Sequence, residues 1–148
     1  MKPALIYYKE NVFSQLDYFQ NIRLATSGRT VDERFYLTYN DLSESYKKEG
    51  FTAIFIMNTL SDNAIELQGL QMAHYIRIIT RGEGVGKLPI FLIGSENITE
   101  LLRLSDYSSI LQTPAVELLS YSKEKVKNVI DNIQSYKHLE NYEAYLEK

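Results

Sequence analysis

The feature of this 148-residue sequence that most limits its fold is the run TAIFIM at residues 52–57. A short, uncharged run of apolar and β-branched residues is typical of a strand buried on both faces of a parallel sheet. Similar runs stand at 4–8 (ALIYY) and at 90–93 (IFLI), the second opened by Pro89, where a strand tolerates proline. Strands buried on both faces need covering helices, so we expect an α/β protein.

Segments with helical or strand-like patterns fill the sequence between these runs. We predict helices at 11 to about 23 after Asn11, from 40 or 41 to Gly50, at 70–80, at 98–105 and from 123 onward. We predict two further strands at 35–39 (FYLTY) and at 109–112 (SILQ), with a loop at 25–33. This alternation predicts a doubly wound, five-stranded parallel sheet in the flavodoxin-like order 2-1-3-4-5, with helices on both faces.

Composition narrows the class of function. The formal charge is −3 and no basic block is present, so we expect no nucleic-acid partner. The chain has no cysteine, and His74 and His138 lie far apart, so we expect neither a metal nor a cofactor. No apolar run approaches the ~20 residues that span a bilayer, and the start does not read as a signal peptide. We therefore expect a cytoplasmic protein without membrane contact.

Four segments from about residue 34 onward follow one another in a distinctive order. They are FTAIFIMN at 51–58, GLQMAHYIRI at 69–78, LPIFLIGS at 88–95 and SILQTPAVELL at 109–119. Their order and spacing resemble the receiver domain of response regulators. In that resemblance, the segments are similar to the third strand, the glycine-started third helix, the proline-opened fourth strand, and the fifth strand with its Lys-Pro step before the last helix.

The resemblance implies a site at the carboxyl ends of the strands, with an aspartate acceptor, an acidic pair that holds Mg²⁺, a hydroxyl residue and a lysine. The matching positions here are Asn58 for the acceptor, Tyr8 and Lys9 with Glu10 adjacent for the acidic pair, Gly94 with Ser95 adjacent for the hydroxyl, and Thr113 before Pro114 for the lysine. An amide is a poor nucleophile and brings no charge to a hard cation. With all four roles altered, we predict a degenerate pseudo-receiver that is not an enzyme.

Some alternatives stay open at this point. A shift of one residue would recover Glu10 and Ser95, and Asp62 is either a displaced acceptor or a turn residue. The leading hypothesis is a phosphorylation-independent regulatory module acting through contacts with an unknown protein. The second is a small-ligand sensor, with a ligand at the strand ends near Glu10, Asn58, Thr59, Ser95 and Asn97. The third is an unrelated α/β enzyme.

The C-terminal segment carries an additional apolar stripe. We divide the chain into a receiver-like domain at 1–135 and a helical extension at 136–148. The apolar residues are Val126, Val129, Ile130, Ile133, Tyr136, Leu139, Tyr142 and Leu146, at helical spacing. One long C-terminal helix would extend past the sheet and make a homodimer contact or dock a partner. The alternatives are a frayed tail or a second helix that folds back.

Overall fold

The computed structural model describes residues 2–60, 68–94 and 116–133, and within them one parallel sheet forms the centre of the fold. Its strands are β1 (Ala4–Tyr7), β2 (Gln20–Arg23), β3 (Ile54–Met57), β4 (Ile90–Gly94) and β5 (Val116–Ser120). Every neighbouring pair is parallel, and the order β2-β1-β3-β4-β5 confirms the predicted flavodoxin-like arrangement. The described helices are α1 (Val31–Glu49), α2 (Gln68–Thr80) and α3 (Lys123–Asp131).

The central strands follow directly from their apolar runs. All residues of β1, β3 and β4 are buried, as expected for strands covered on both faces. The rings of Phe55 in β3 and Phe91 in β4 stack with centroids 4.9 Å apart. These contacts place the core around β3 and β4, next to the strand ends that are discussed below.

The predicted helix at 11–23 is wrong. Residues 12–19 form turns and bends, and Gln20–Arg23 is the edge strand β2. The reason lies in Asn11, whose Oδ1 accepts hydrogen bonds from the backbone N–H groups of Phe13 at 2.8 Å and Ser14 at 3.2 Å. An asparagine that bonds its own following backbone closes a turn and does not need to start a helix.

The predicted strand at 35–39 is also wrong, because these residues lie inside α1. Thr30 caps the helix by accepting from the N–H of Glu33 at 3.1 Å, and the Glu33 carboxylate accepts from the N–H of Arg29 at 2.7 Å. This reciprocal pair is a variant of the capping box. Phe35, Thr38 and Leu42 are buried at helical spacing. The predicted end is confirmed, since Gly50 follows the helix with a left-handed φ of 68°.

The fifth strand lies later in the sequence than predicted. The predicted strand at 109–112 lies outside the described residues, whereas β5 begins at Val116, in the segment between that predicted strand and the helix predicted from 123. Five register pairs join β5 to β4, from Ile90 with Val116 to Gly94 with Ser120. Thr113 and Pro114 therefore precede β5, so their assignment to a Lys-Pro step after the fifth strand is wrong.

The C-terminal helix is shorter than expected. Helix α3 is capped by Ser122, whose Oγ accepts from the N–H of Lys125 at 3.3 Å, and it ends at Asp131 after 9 residues. Asn132 ends it by donating from Nδ2 to the carbonyl of Asn128 at 2.8 Å, a side-chain bond that competes with helix continuation. One uninterrupted long helix is therefore wrong. Residues 134–148, with the proposed domain boundary, lie outside the described part, and the homodimer contact stays a prediction.

Right-handed crossovers distribute the helices over both faces of the sheet. In the order β2-β1-β3-β4-β5, the connection from β1 to β2 runs toward the β2 edge. Helix α1 connects β2 to β3 and helix α2 connects β3 to β4, so both run toward the β5 edge. Helices α1 and α2 therefore share one face, where Phe35 and Tyr75 pack with ring centroids 5.8 Å apart. The turns at 12–19 and α3 share the other, where the Lys127 ammonium lies 4.8 Å from the Tyr18 ring centroid. In the described ranges, no helix is long and apolar enough to cross a membrane.

Candidate functional site at the carboxyl end of the sheet

The carboxyl ends of β1 and β3 lie side by side at the point where the strand order reverses. From β1 the chain moves outward to β2, and from β2 it returns across β1 to β3, so Ile6 pairs with Ile56. Open α/β sheets place ligands in the crevice at such a switch point. Residues 8–10 follow β1, Asn58 follows β3 and Gly94 ends β4, so the structure brings together three of the four predicted receiver positions.

Asn58 is the best defined residue of this site. Its backbone N–H donates to the Ile93 carbonyl at 2.8 Å, and its carbonyl accepts from the N–H of Gly69 at 2.9 Å. The residue is only 1 % exposed. Among the described residues, no group hydrogen bonds to its side-chain Oδ1 or Nδ2, although both atoms are buried. The position that would carry an acceptor carboxylate in a receiver therefore holds a neutral, buried and unpaired amide.

Gly69 explains why Asn58 is held so closely. A Cβ on Gly69 would lie 2.4 Å from the Met57 carbonyl oxygen and 2.5 Å from the Asn58 Cα, far inside normal contact distances. Only glycine lets the first turn of α2 approach the end of β3 this closely. The resemblance singled out this glycine, and the structure supplies its physical reason.

The loop after β1 presents mixed charge at this edge. Lys9 and Glu10 are exposed, and the Lys9 ammonium lies 5.8 Å from the centroid of the Tyr8 ring. Asn11 holds the loop by donating from Nδ2 to the Lys9 carbonyl at 3.0 Å. Where a receiver has an acidic pair, this chain thus has a phenol and an ammonium, with one carboxylate beyond them. A divalent cation prefers several oxygen ligands, so this trio is a poor holder for Mg²⁺.

The other predicted site residues divide into two groups. Gly94 is buried at the end of β4, and Thr59 is half-buried directly after Asn58. The remaining candidates lie outside the described residues: Asp62, Ser95, Asn97, Thr113 and Pro114. Nowhere in residues 2–60, 68–94 and 116–133 do three His, Asp or Glu side chains come together in a way that could hold a metal.

Sequence reasoning missed the residue that ends β5. Ser120 pairs with Gly94 across the sheet, and its Oγ accepts from the Lys125 ammonium at 3.4 Å. A lysine from the first turns of α3 thus approaches the end of the fifth strand. The available signal was Ser122, which was recognised as the cap of the last helix and so left residues 116–121 free to form a strand.

Fold and site together define a receiver-like domain with an amide in the acceptor position. Residues 25–119 match the family model of the Inactive Receiver domain, from the loop before α1 to the fourth residue of β5. Because the match covers more than half of the chain, this chain belongs to the Inactive Receiver domain family. No curated protein and no solved structure matches it. The match leaves out β1 and β2, the part in which turns replace a helix.

Proposed function

We propose that this chain is a regulatory module of receiver fold that works without phosphorylation and acts through contacts with a protein partner. The observation that carries the proposal is Asn58, which follows β3 in the acceptor position and is neutral and 1 % exposed. Phosphoryl transfer to a receiver needs a carboxylate nucleophile and a cation that neutralises the transferred group. An amide offers neither the nucleophile nor the charge.

The surroundings of Asn58 support the same proposal. Lys9 stands where a Mg²⁺-holding acid would be expected, and its ammonium would repel the cation. Gly69 nevertheless ties Asn58 to α2 through a backbone hydrogen bond of 2.9 Å. The end of β3 thus keeps its packing against α2 but lacks the carboxylates of an active receiver. This is expected of a domain that binds a partner and does not catalyse. Cytoplasmic location stays a prediction.

Intact-mass spectrometry after incubation with acetyl phosphate and Mg²⁺ tests this proposal. An active receiver domain treated in parallel serves as the positive control. We expect this chain to keep its mass while the control gains one phosphoryl group. A phosphoryl gain that peptide mapping assigns to Asp62 or Glu10 would overturn the proposal.

A ligand sensor is the second candidate function, and the unpaired amide of Asn58 favours it. Burying a donor and an acceptor without partners costs about 1–3 kcal/mol for each group. A small molecule with an adjacent acceptor and donor, such as a carboxamide, would remove that cost. Native mass spectrometry of the purified chain tests this function. A copurified ligand that is lost on Asn58→Leu would support it, and a ligand-free chain would count against it.

A further inference from the structure

The large apolar side chains that the described residues expose are concentrated on one face of the sheet. Tyr36 is 50 % and Leu37 39 % exposed on α1, while Ile78 is 53 % and Ile79 36 % exposed on α2. Only Tyr121, at 49 %, lies elsewhere in the described part. Contiguous apolar surface on a soluble domain commonly marks an interaction site.

Tyr75 joins the exposed residues of the two helices into one surface. Its ring packs against Phe35 of α1, with centroids 5.8 Å apart. Burial raises the pKa of its phenol, and the charges of Asp32, Tyr36 and Tyr39 raise this pKa further. Ile78 and Ile79 follow Tyr75 at helical spacing, on the same side of α2. We call this surface the α1–α2 patch: Asp32, Tyr36, Tyr39, Tyr75, Ile78 and Ile79.

An open recess of about 440 Å³ adjoins the patch and shares Asp32 and Tyr36 with it. Its other lining residues are Ser27, Gly28, Glu33 and Leu37. Glu33 is engaged in capping α1. Within the described segments, no side chain hydrogen bonds or forms an ion pair with the Asp32 carboxylate, which is exposed. The recess therefore combines an available carboxylate with a half-exposed aromatic ring.

The acidic residues of α1 outnumber its basic residues by five to three, and Lys47 and Lys48 lie in the last turn, at the far end of the helix from Asp32. Helix α1 carries the acidic residues Asp32, Glu33, Asp41 and Glu44 before its last turn. In the same stretch the only basic residue is Arg34, whose Nε donates to the Gly28 carbonyl at 3.2 Å. On α2 the single basic residue, Arg77, is fully buried. A partner with basic side chains would complement the first turn of α1, where Asp32 and Glu33 lie.

We propose that the α1–α2 patch docks a basic amphipathic segment of a partner protein. An arginine of that segment pairs with Asp32 and stacks on the Tyr36 ring, and its apolar side chains cover Ile78 and Ile79. Arginine suits this site because its planar guanidinium forms paired hydrogen bonds with a carboxylate and stacks on aromatic rings. Tyrosine is enriched at protein interfaces, and this patch contains three tyrosines. The inference rests on the proposed function, to which it adds the chemistry of the partner.

Amide NMR of the full chain with a defined probe peptide tests the proposal. The probe is acetyl-Leu-Arg-Leu-Leu-Arg-Leu-amide, and the control probe replaces both arginines with glutamate. We expect saturable shifts at residues 31–37 and 75–79 with the arginine probe alone. Asp32→Asn should weaken binding about tenfold, the loss expected for one hydrogen bond to a charged group. Ile78→Ser should weaken it as well.

Asp41→Asn is the matched control, because it removes the same charge from α1 without lining the recess. It should leave the affinity for the arginine probe unchanged. Equal weakening by Asp32→Asn and Asp41→Asn would show diffuse charge attraction and overturn the proposal. Equal binding of both probes, or no saturable shift with either, would overturn it too. None of these outcomes changes the phosphoryl-transfer result, so the two proposals fail separately.

Discussion

The backbone N–H of Gly69 donates to the carbonyl of Asn58 at 2.9 Å, which fixes the start of α2 against the end of β3. The Asn58 N–H donates in turn to Ile93 of β4. The backbone of the acceptor position is thus held from two sides, while its side chain has no hydrogen-bond partner in the described part of the chain. Asn58 thus combines a backbone held by two hydrogen bonds with a side chain that cannot serve as a phosphoryl acceptor.

Asn58→Leu should raise the stability of the isolated chain. Leucine has a similar branched shape and removes two buried polar atoms that lack partners. At about 1–3 kcal/mol for each atom, we expect a gain of about 2–6 kcal/mol in the free energy of unfolding. Urea denaturation followed by circular dichroism measures this change. A loss of stability would mean that the amide is satisfied in solution.

Thr38→Val is the matched control for that variant. Thr38 is equally buried, but its Oγ1 donates to the Arg34 carbonyl at 2.7 Å and accepts from the N–H of Ala25 at 2.9 Å. Valine keeps the shape and leaves the Ala25 N–H unpaired, so stability should fall by about 1–3 kcal/mol. Opposite signs for the two variants would identify the missing hydrogen bonds as the cause.

Gly69→Ala should destabilise the fold by about 1–3 kcal/mol or more, because its Cβ would collide with backbone atoms that cannot move away easily. Gly84→Ala is the comparison variant. A Cβ there meets nothing within 4 Å, and the only cost is the left-handed φ of 54°, about 1 kcal/mol. The thermal unfolding midpoint of each variant gives the ranking. If Gly84→Ala lowered the unfolding midpoint more than Gly69→Ala, the close contact with β3 would not be the reason that residue 69 is glycine.

The phenol of Tyr75 should titrate above the ordinary tyrosine pKa, first because it is partly desolvated and second because Asp32 is close. Asp32→Asn should lower this pKa, and Asp41→Asn should not. Because the pKa of Tyr75 is higher in the folded state, this phenol contributes fully to the stability of the fold below pH 10.0. That contribution is lost as the pH rises through the folded-state pKa. The ¹³C shift of the Tyr75 ring against pH measures the effect. If the pKa of Tyr75 were unchanged in Asp32→Asn, Asp32 would not lie close enough to Tyr75 to belong to the α1–α2 patch.

The strands that could be predicted are those buried on both faces, because such burial requires an apolar residue at nearly every position. Ile54–Met57 and Ile90–Gly94 are continuous apolar runs because both faces are covered. Edge strand β2 buries only Ile22 and gives no such signal. The segment 35–39 misled because its aromatic content favours a strand, whereas the spacing of Phe35, Thr38 and Leu42 is helical. There, periodicity was the better guide.

The candidate site could be predicted only where it depends on a strand end. The apolar run before Asn58 shows where β3 stops, so the position of Asn58 directly after that strand could be predicted. Thr113 was misplaced because the fifth strand was assigned too early. The unpaired amide and the close approach of Gly69 depend on how α2 packs on the sheet, which no local pattern in the sequence records.

Amide NMR during titration with Mg²⁺, followed by addition of beryllofluoride as a mimic of the acyl phosphate, tests the central claim most directly. The account predicts no saturable shift at Glu10, Asn58, Gly94 or Ser120 in either step, because no carboxylate occupies the acceptor position. Saturable shifts clustered at these residues would contradict it and would show that the strand ends still bind the ligands of an active receiver.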